Sequence, residues 1–127
     1  MIKSMLIAGI GGFIGTCGRY LVGKVSSHWL DHTWAQPFPL GTFLVNIIGC
    51  FIIGMLFGMA EKYHFITPNM SLLLITGFCG GFTTFSSMSD DMYLLVQGRH
   101  MLLFVLYLVL TLVLGFLLVW AGRAIFK

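Results

Sequence analysis

Residues 77–91 bring together the side chains of this chain that could do chemistry. Glycines and a row of threonine and serine hydroxyls follow an apolar run, and two adjacent carboxylates, Asp90 and Asp91, come after them. In a membrane, such polar groups persist only where they are buried in protein or line a wet cavity. One interpretation is a helix that ends early, with hydroxyl caps and with both carboxylates at the water surface. The other is a helix broken at mid-membrane that presents carbonyls, amides and hydroxyls to an ion.

The composition of the chain predicts an integral membrane protein. Of its 127 residues, 58% are hydrophobic and only 9% are charged, and the mean hydropathy is +0.98. A soluble domain of this size cannot bury so much apolar surface. Crossing the lipid bilayer takes about 20 residues, so the chain has room for about four spanning helices and short loops. Because so few short helices cannot enclose a hydrated path on all sides, we also expect an oligomer.

The predicted fold is all-α, a single transmembrane domain at 1–127 with helices at about 4–24, 39–60, 69–96 and 101–122. The longest loop, at 25–38, holds tryptophans and prolines typical of a membrane interface. The net charge of +3 is modest and scattered, which argues against nucleic acid as a partner. The three cysteines lie in apolar segments without disulfide or metal spacing, and no catalytic constellation is present, so we expect no enzyme.

Two polar residues inside the apolar runs allow both a structural and a functional interpretation. Asn46 interrupts the second predicted helix and could hydrogen-bond a neighbouring helix, a contact worth about 0.6–2 kcal/mol. Its neutral amide could equally serve an anion pathway without trapping the ion by a full charge. Arg19 lies about one turn inside the far end of the first helix. Its side chain either snorkels to the interface or raises the local anion concentration in a vestibule.

Residue spacing also marks faces of the first and fourth helices. Gly11 and Gly15 have the G-x-x-x-G spacing that lets helices approach closely. In the fourth helix Tyr107, Thr111 and Gly115 are spaced by four, so we expect them to lie along one face. Two hydroxyls and a gap on an otherwise aliphatic helix indicate a face turned toward something polar.

The basic residues are nearly balanced across the membrane. With Arg19 counted as snorkelling, Lys and Arg divide 4 against 3, namely Lys3, Lys62, Arg123 and Lys127 against Lys24, Arg99 and Arg19. So weak a positive-inside bias predicts that the chain can insert in both orientations. Copies in opposite orientations could then pair as an antiparallel dimer.

Three motifs give the chain its resemblance to the Fluc or CrcB family of fluoride channels. They are Gly-Gly-Phe-Ile-Gly at 11–15 with Arg19-Tyr20, Gly-Thr-Phe-Leu-Val-Asn-Ile-Ile-Gly at 41–49, and Gly-Phe-Cys-Gly-Gly-Phe-Thr-Thr-Phe-Ser at 77–86. The resemblance covers essentially all the predicted helices. It implies an antiparallel, dual-topology homodimer in a bacterial inner membrane, with two fluoride pores at the subunit interface and a structural sodium ion (Na+) at the centre. It also implies passive export of toxic fluoride from the cytoplasm.

The resemblance further implies roles for individual residues. The expected fluoride pore residues are Asn46, Phe85, Met88, Ser87, Tyr107, Thr111 and Thr42. Arg19 corresponds to a vestibule arginine of the family. The backbone carbonyls of Gly80 and Thr83 correspond to those that face the sodium ion.

Three positions depart from the family pattern. Met88 stands where the family has a second pore aromatic, Asp91 where glutamate is usual, and Gly115 where serine is common. The first pore aromatic, Phe85, is retained, and the positive edge of its ring can meet an anion. The short turn at 97–99 leaves the register of the fourth helix open.

A small multidrug-resistance-type antiporter would have the same size, helix number and dual topology. Coupled exchange of protons for a cationic drug needs a carboxylate embedded in the membrane. The first predicted helix has no Asp or Glu, and Glu61, Asp90 and Asp91 lie near the ends of predicted spans. The sequence therefore favours a passive channel over the antiporter.

Overall fold

The computed structural model describes residues 1–30 and 37–126. Every regular element in these residues is a helix, and four helical segments are long and apolar enough to cross a membrane. The first two are α1 at Ile2–Leu30 and α2 at Leu40–Lys62, and the third spans Pro68–Gln97. The prediction of an all-α chain with four spans is confirmed.

The third span is interrupted near its middle. It consists of α3 at Pro68–Ser71, wider π-helical turns at Leu72–Cys79, α4 at Gly80–Phe82 and α5 at Phe85–Gln97. Between α4 and α5, Thr83 (φ −89°, ψ 159°) and Thr84 (φ −154°, ψ 122°) have extended backbones. The Thr84 hydroxyl accepts a hydrogen bond from the backbone N–H of Ser87 (3.2 Å) and caps α5. We call Thr83 and Thr84 the break; its depth in a bilayer stays a prediction.

Glycines bring the helices together along two seams. α1 packs against the first half of the third span, where a Cβ at Gly11 or Gly15 would collide with backbone carbonyls. α2 packs along the fourth span, α6 at Met101–Ile125, where a Cβ at Gly54 would collide with the Val119 carbonyl. Small residues therefore set the spacing of these helices.

α1 is longer than its predicted range of 4–24. It continues to Leu30 because no glycine or proline interrupts residues 25–30, and the next proline is Pro37. Residues 25–30, expected in the longest loop, are therefore helical. The part of that predicted loop at 31–36 lies outside the described residues.

The chain has a small apolar core and a large apolar surface. Its core consists of Phe43, Met88, Leu95, Leu103 and Tyr107. Many large apolar side chains point outward, among them Phe13 (72% exposed) and Phe116 (72%). Such a surface is matched to lipid or to another subunit and not to water.

Candidate functional site

Asn46 is hydrogen-bonded to the break in the third span. Its Nδ2 donates to the Thr84 carbonyl oxygen (3.0 Å), and its Oδ1 accepts from the Thr84 backbone N–H (2.8 Å). The side chain is held there by α2, and Asn46 is only 9% exposed. A primary amide has two N–H groups, and the described residues use only one of them. Asn46 therefore has the structural role considered from the sequence, and one amide N–H is left for a ligand.

A groove of about 480 Å³ runs beside Asn46, and we call it the Asn46 groove. α2, the break, α5 and α6 form its walls, with polar or exposed groups at Asn46, Thr83, Thr84, Phe85 and Thr111. The rest of the wall is apolar, and no described residue that lines it carries a charge. Such a groove offers a few neutral donors along an apolar path, which suits an ion that must pass and not be trapped.

Phe85 and Met88 both line the Asn46 groove but differ in exposure. Phe85 begins α5 and is 77% exposed, whereas Met88 is only 4% exposed. Met88 belongs to the same core cluster as Phe43 and Tyr107. The ring of Phe85 can thus face a ligand or a second subunit, while Met88 joins the groove wall to the core.

The predicted stripe on the fourth helix divides between two places. Thr111 and Gly115 line the Asn46 groove, and the Thr111 Oγ1 is buried without a hydrogen-bond partner among the described residues. Tyr107 is fully buried, and its hydroxyl donates to the Asp91 carboxylate (3.3 Å). Tyr107 lies one helical turn before Thr111, where α6 packs on the core and on Asp91. The groove borders only the later turns of α6.

A second groove, of about 520 Å³, reaches the break from α1 and the start of α2. We call it the Arg19 groove; its lining includes Arg19, Lys24, Thr42, Thr84 and Ser87. Thr84 lines both grooves, so both border the break. The Arg19 guanidinium donates through Nε to the Gly81 carbonyl (3.0 Å). It therefore satisfies a carbonyl at the end of α4, where helical partners run out.

The carbonyl oxygens of Gly80 and Thr83 fit one side of a cation site. Neither accepts a hydrogen bond from the described residues. Gly80 is exposed, and a Cβ there would meet nothing within 4 Å. Broken membrane helices supply such unwound carbonyls as ligands for Na+. Two carbonyls are an incomplete ligand set, so a sodium ion at this place needs further oxygens.

The predicted pore residues thus fall into three places. Asn46, Phe85, Met88 and Thr111 line the Asn46 groove, and Thr42 and Ser87 line the Arg19 groove. Tyr107 lines neither groove. Tyr107 is instead bonded to Asp91 on α5. The functional roles of these residues stay predictions.

Cys50 lines the Asn46 groove and was not predicted as a site residue. It follows Asn46 by four residues, which puts both on the same face of α2. A Cβ at Gly115 would meet the Cys50 Sγ at 3.3 Å, so Cys50 lies against the gap on α6. The helical spacing from Asn46 was the signal that could have identified it.

Comparison with known proteins gives matches over nearly the whole chain. A family model described as CrcB-like protein, Camphor Resistance (CrcB), matches residues 6–123. A protein of Methylobacillus flagellatus named fluoride-specific ion channel FluC is 44% identical over 100% of this chain and 96% of its own length. A protein of the same name from Flavobacterium psychrophilum is 38% identical over 99% of this chain and 98% of its own length. Another, from Chlorobium luteolum, is 43% identical over 94% of this chain and 88% of its own length. The similarity therefore extends over every span and is not confined to one motif.

Proposed function

The chain belongs to the CrcB-like family, and on that premise we propose that it is a passive, fluoride-selective ion channel. One observation carries the proposal: relatives named as fluoride-specific channels match the chain almost from end to end. The four apolar spans place this activity in a membrane that the chain crosses several times. Its physiological role would be to let fluoride leave a bacterial cytoplasm across the inner membrane, and so to relieve fluoride toxicity.

The Asn46 groove supports this function through the kind of donors it contains. Fluoride is strongly hydrated, so a narrow path must replace its water with other donors. The unused amide N–H of Asn46 and the unpartnered hydroxyl of Thr111 are neutral donors on one path. The exposed ring of Phe85 adds a positive edge. Because no described lining residue is charged, the ion is stabilised weakly enough to leave.

The working channel would be an antiparallel dimer with two fluoride pores. The Asn46 groove is open along one side, and exposed apolar residues such as Phe85 and Phe116 flank it. A second copy would close the groove and cover these side chains. The near balance of basic residues across the spans supports the opposite orientation of the two copies.

A sodium ion would join the two copies at the break. Gly80 and Thr83 of each copy would contribute carbonyl oxygens, which completes the ligand set that one chain leaves incomplete. The ion would supply a fixed positive charge that neutralises these carbonyl dipoles at the dimer centre. This site would be structural, because its ion would stay at the dimer centre and would not move along the grooves.

A proton-coupled antiporter is less well supported by the same structure. It requires a carboxylate on the transport path, and the half-buried candidate is Asp91. Asp91 is bonded to Tyr107 and does not line the Asn46 groove. Among the described residues, α1 offers no carboxylate.

Fluoride efflux from proteoliposomes tests the proposal directly. Vesicles loaded with potassium fluoride and carrying the purified protein should release fluoride when valinomycin allows potassium to follow, as read by a fluoride electrode. Chloride-loaded vesicles should release little. Proton-coupled uptake of a cationic drug without fluoride release would reject the channel. Separately, reporters fused to the C-terminus should report both orientations, and a signal from one side alone would reject dual topology.

A further inference from the structure

A notch of about 500 Å³ lies at the C-terminal ends of α2 and α6, outside the two grooves described so far. Its lining includes Glu61, Lys62, Trp120 and Arg123. Gly58 forms its floor, because the absent side chain lets the backbone of α6 at Arg123 come close. We call this cavity the Arg123 notch.

The Arg123 notch continues the line of the Asn46 groove. Gly54 faces Val119 and Gly58 faces Arg123, so α2 and α6 run in the same direction side by side. The groove follows this seam as far as Val119. The notch begins at the adjacent residue on α6, Trp120, and includes Arg123 one helical turn beyond Val119. The notch therefore lies beyond the Val119 end of the groove, toward the C-terminal ends of both helices.

The charged side chains that line the notch are two cations and one carboxylate. The Arg123 guanidinium is held by Glu61 (2.7 Å) and lies over the ring of Phe57 (5.0 Å to its centroid). Of the five N–H donors of a guanidinium, Glu61 uses only Nη1. Lys62 adds a second cation to the lining, so two positive groups face one negative group. The Arg123 and Glu61 side chains are 41% and 71% exposed, so their pairing is weak. Counted by side chains alone, the described lining carries one more cation than anion.

The Arg19 groove, like the Arg123 notch, is lined by one arginine and one lysine. The Arg19 groove is lined by Arg19 and Lys24 and by Thr42 at the start of α2, whereas the Arg123 notch lies at the end of α2. The Asn46 groove lies between them and shares Thr84 with the Arg19 groove. The three cavities thus form a series with an arginine and a lysine at both ends and no charged lining residue in the middle.

We propose that the Arg123 notch is an anion-collecting mouth of the conduction path, in which Arg123 and Lys62 raise the local concentration of a small monovalent anion. This proposal rests on the proposed fluoride channel function. A cluster of cations in a low-dielectric cleft concentrates anions at its surface, and Glu61 limits this effect so that the ion is not held. A phospholipid phosphate could also bind beside exposed Trp120, and the experiment separates the two occupants.

The initial rate of fluoride efflux, measured at a low fluoride concentration and low ionic strength, tests whether the Arg123 notch concentrates anions. At about 0.01 M salt, where charges act over about 30 Å, Arg123→Gln should lower the rate about threefold. Glu61→Gln should raise it by about the same factor, because it removes the only negative charge among the described lining residues. In about 1 M of an impermeant salt, where the range falls to about 3 Å, both variants should match the parent. Arg123→Lys should stay close to the parent at both salt concentrations.

The opposite changes in efflux rate expected for Arg123→Gln and Glu61→Gln distinguish an electrostatic role from a structural one. Both Arg123→Gln and Glu61→Gln break the same ion pair, so a purely structural role would change the two rates in the same direction. Lys3→Gln is the control for net charge, since Lys3 is exposed on α1 and lines none of these cavities. Equal directions, or shifts that persist at high salt, would overturn the proposal. An Arg123→Gln effect seen only in vesicles with anionic lipid would also overturn it, in favour of a lipid phosphate. A parent protein that conducts no fluoride would instead reject the proposed function.

Discussion

Asn46 and Thr84 are joined by two hydrogen bonds in which one side-chain amide pairs with both backbone groups of one residue. The amide replaces the helical partners that Thr84 lacks, because the helix is interrupted there. A single side chain from α2 therefore fixes the break and also lines the Asn46 groove. The backbone shape of the break and the amide beside the groove therefore both depend on Asn46.

Asn46→Asp should remove both functions of the side chain. A carboxylate can accept from the Thr84 N–H, but its second oxygen would face the Thr84 carbonyl, where two acceptors repel. The free energy of unfolding should fall by about 1–3 kcal/mol. Fluoride efflux should fall by about a hundredfold or more, a barrier increase of about 2.7 kcal/mol. Thermal unfolding in detergent and vesicle efflux measure the two effects.

The matched control for this change is Asn69→Asp. Asn69 is exposed near the start of the third span and lines none of the described cavities, so the same substitution should alter neither stability nor efflux. Wild-type efflux from Asn46→Asp would contradict any direct role of Asn46 in the path.

The four spans could be predicted because apolar runs long enough to cross a bilayer are typical of transmembrane helices. The end of α1 at Leu30 could not, since hydropathy marks the apolar layer and a helix can continue beyond it until a breaker such as Pro37. The hydrogen bonds between Asn46 and Thr84 could not be predicted from the sequence either. The two residues are 38 positions apart, and only the packing of α2 against the break brings them together.

The break at Thr83 and Thr84 falls within the glycine and hydroxyl stretch at 77–91, and the functional roles of these residues stay predictions. The surroundings of individual side chains on α6 followed less directly from the sequence. On α6, Tyr107 and Thr111 were expected on one face, yet one is bonded to Asp91 and the other lines the Asn46 groove. The turn of α6 that holds Tyr107 packs on the core, and the next turn, with Thr111, borders the groove, so the packing of neighbouring helices decides the outcome.

Gly11→Ala should destabilise the protein, whereas Gly9→Ala should not. A Cβ at Gly11 would collide with the Leu73 carbonyl and come within 3.0 Å of the Gly77 Cα, so α1 would have to move away from the third span. We expect a loss of about 1–3 kcal/mol in the free energy of unfolding. A Cβ at Gly9 would meet nothing within 4 Å, so alanine there should stabilise the helix by up to about 1 kcal/mol. Thermal unfolding of both variants in one detergent checks the contrast, and equal effects would show that the seam tolerates a methyl group.

Thr111→Val should reduce efflux without loss of stability. The Thr111 hydroxyl is buried and has no partner among the described residues, so its removal releases an unsatisfied group. Valine keeps the shape of the side chain, and stability should stay equal or rise by up to about 1 kcal/mol. Efflux should fall about tenfold, a barrier change of about 1.4 kcal/mol, because one donor of the path is lost. The control is Thr76→Val at an exposed position; a loss of stability with normal efflux in Thr111→Val would mean that the hydroxyl serves folding.

The last prediction separates the two neighbours on α5 that line the Asn46 groove. Phe85 is 77% exposed, so Phe85→Ile should leave the free energy of unfolding within about 0.5 kcal/mol of the parent. It removes the positive ring edge from the path, and efflux should fall by about a hundredfold or more. Met88 is only 4% exposed and lies in the core, so Met88→Leu, which nearly conserves volume, should cost less than about 1.5 kcal/mol. Because its role is to form the wall, efflux of Met88→Leu should remain within about tenfold of the parent. Normal efflux from Phe85→Ile together with a folded but inactive Met88→Leu would reverse the assignment, because the thioether and not the ring edge would then be the group that meets the ion.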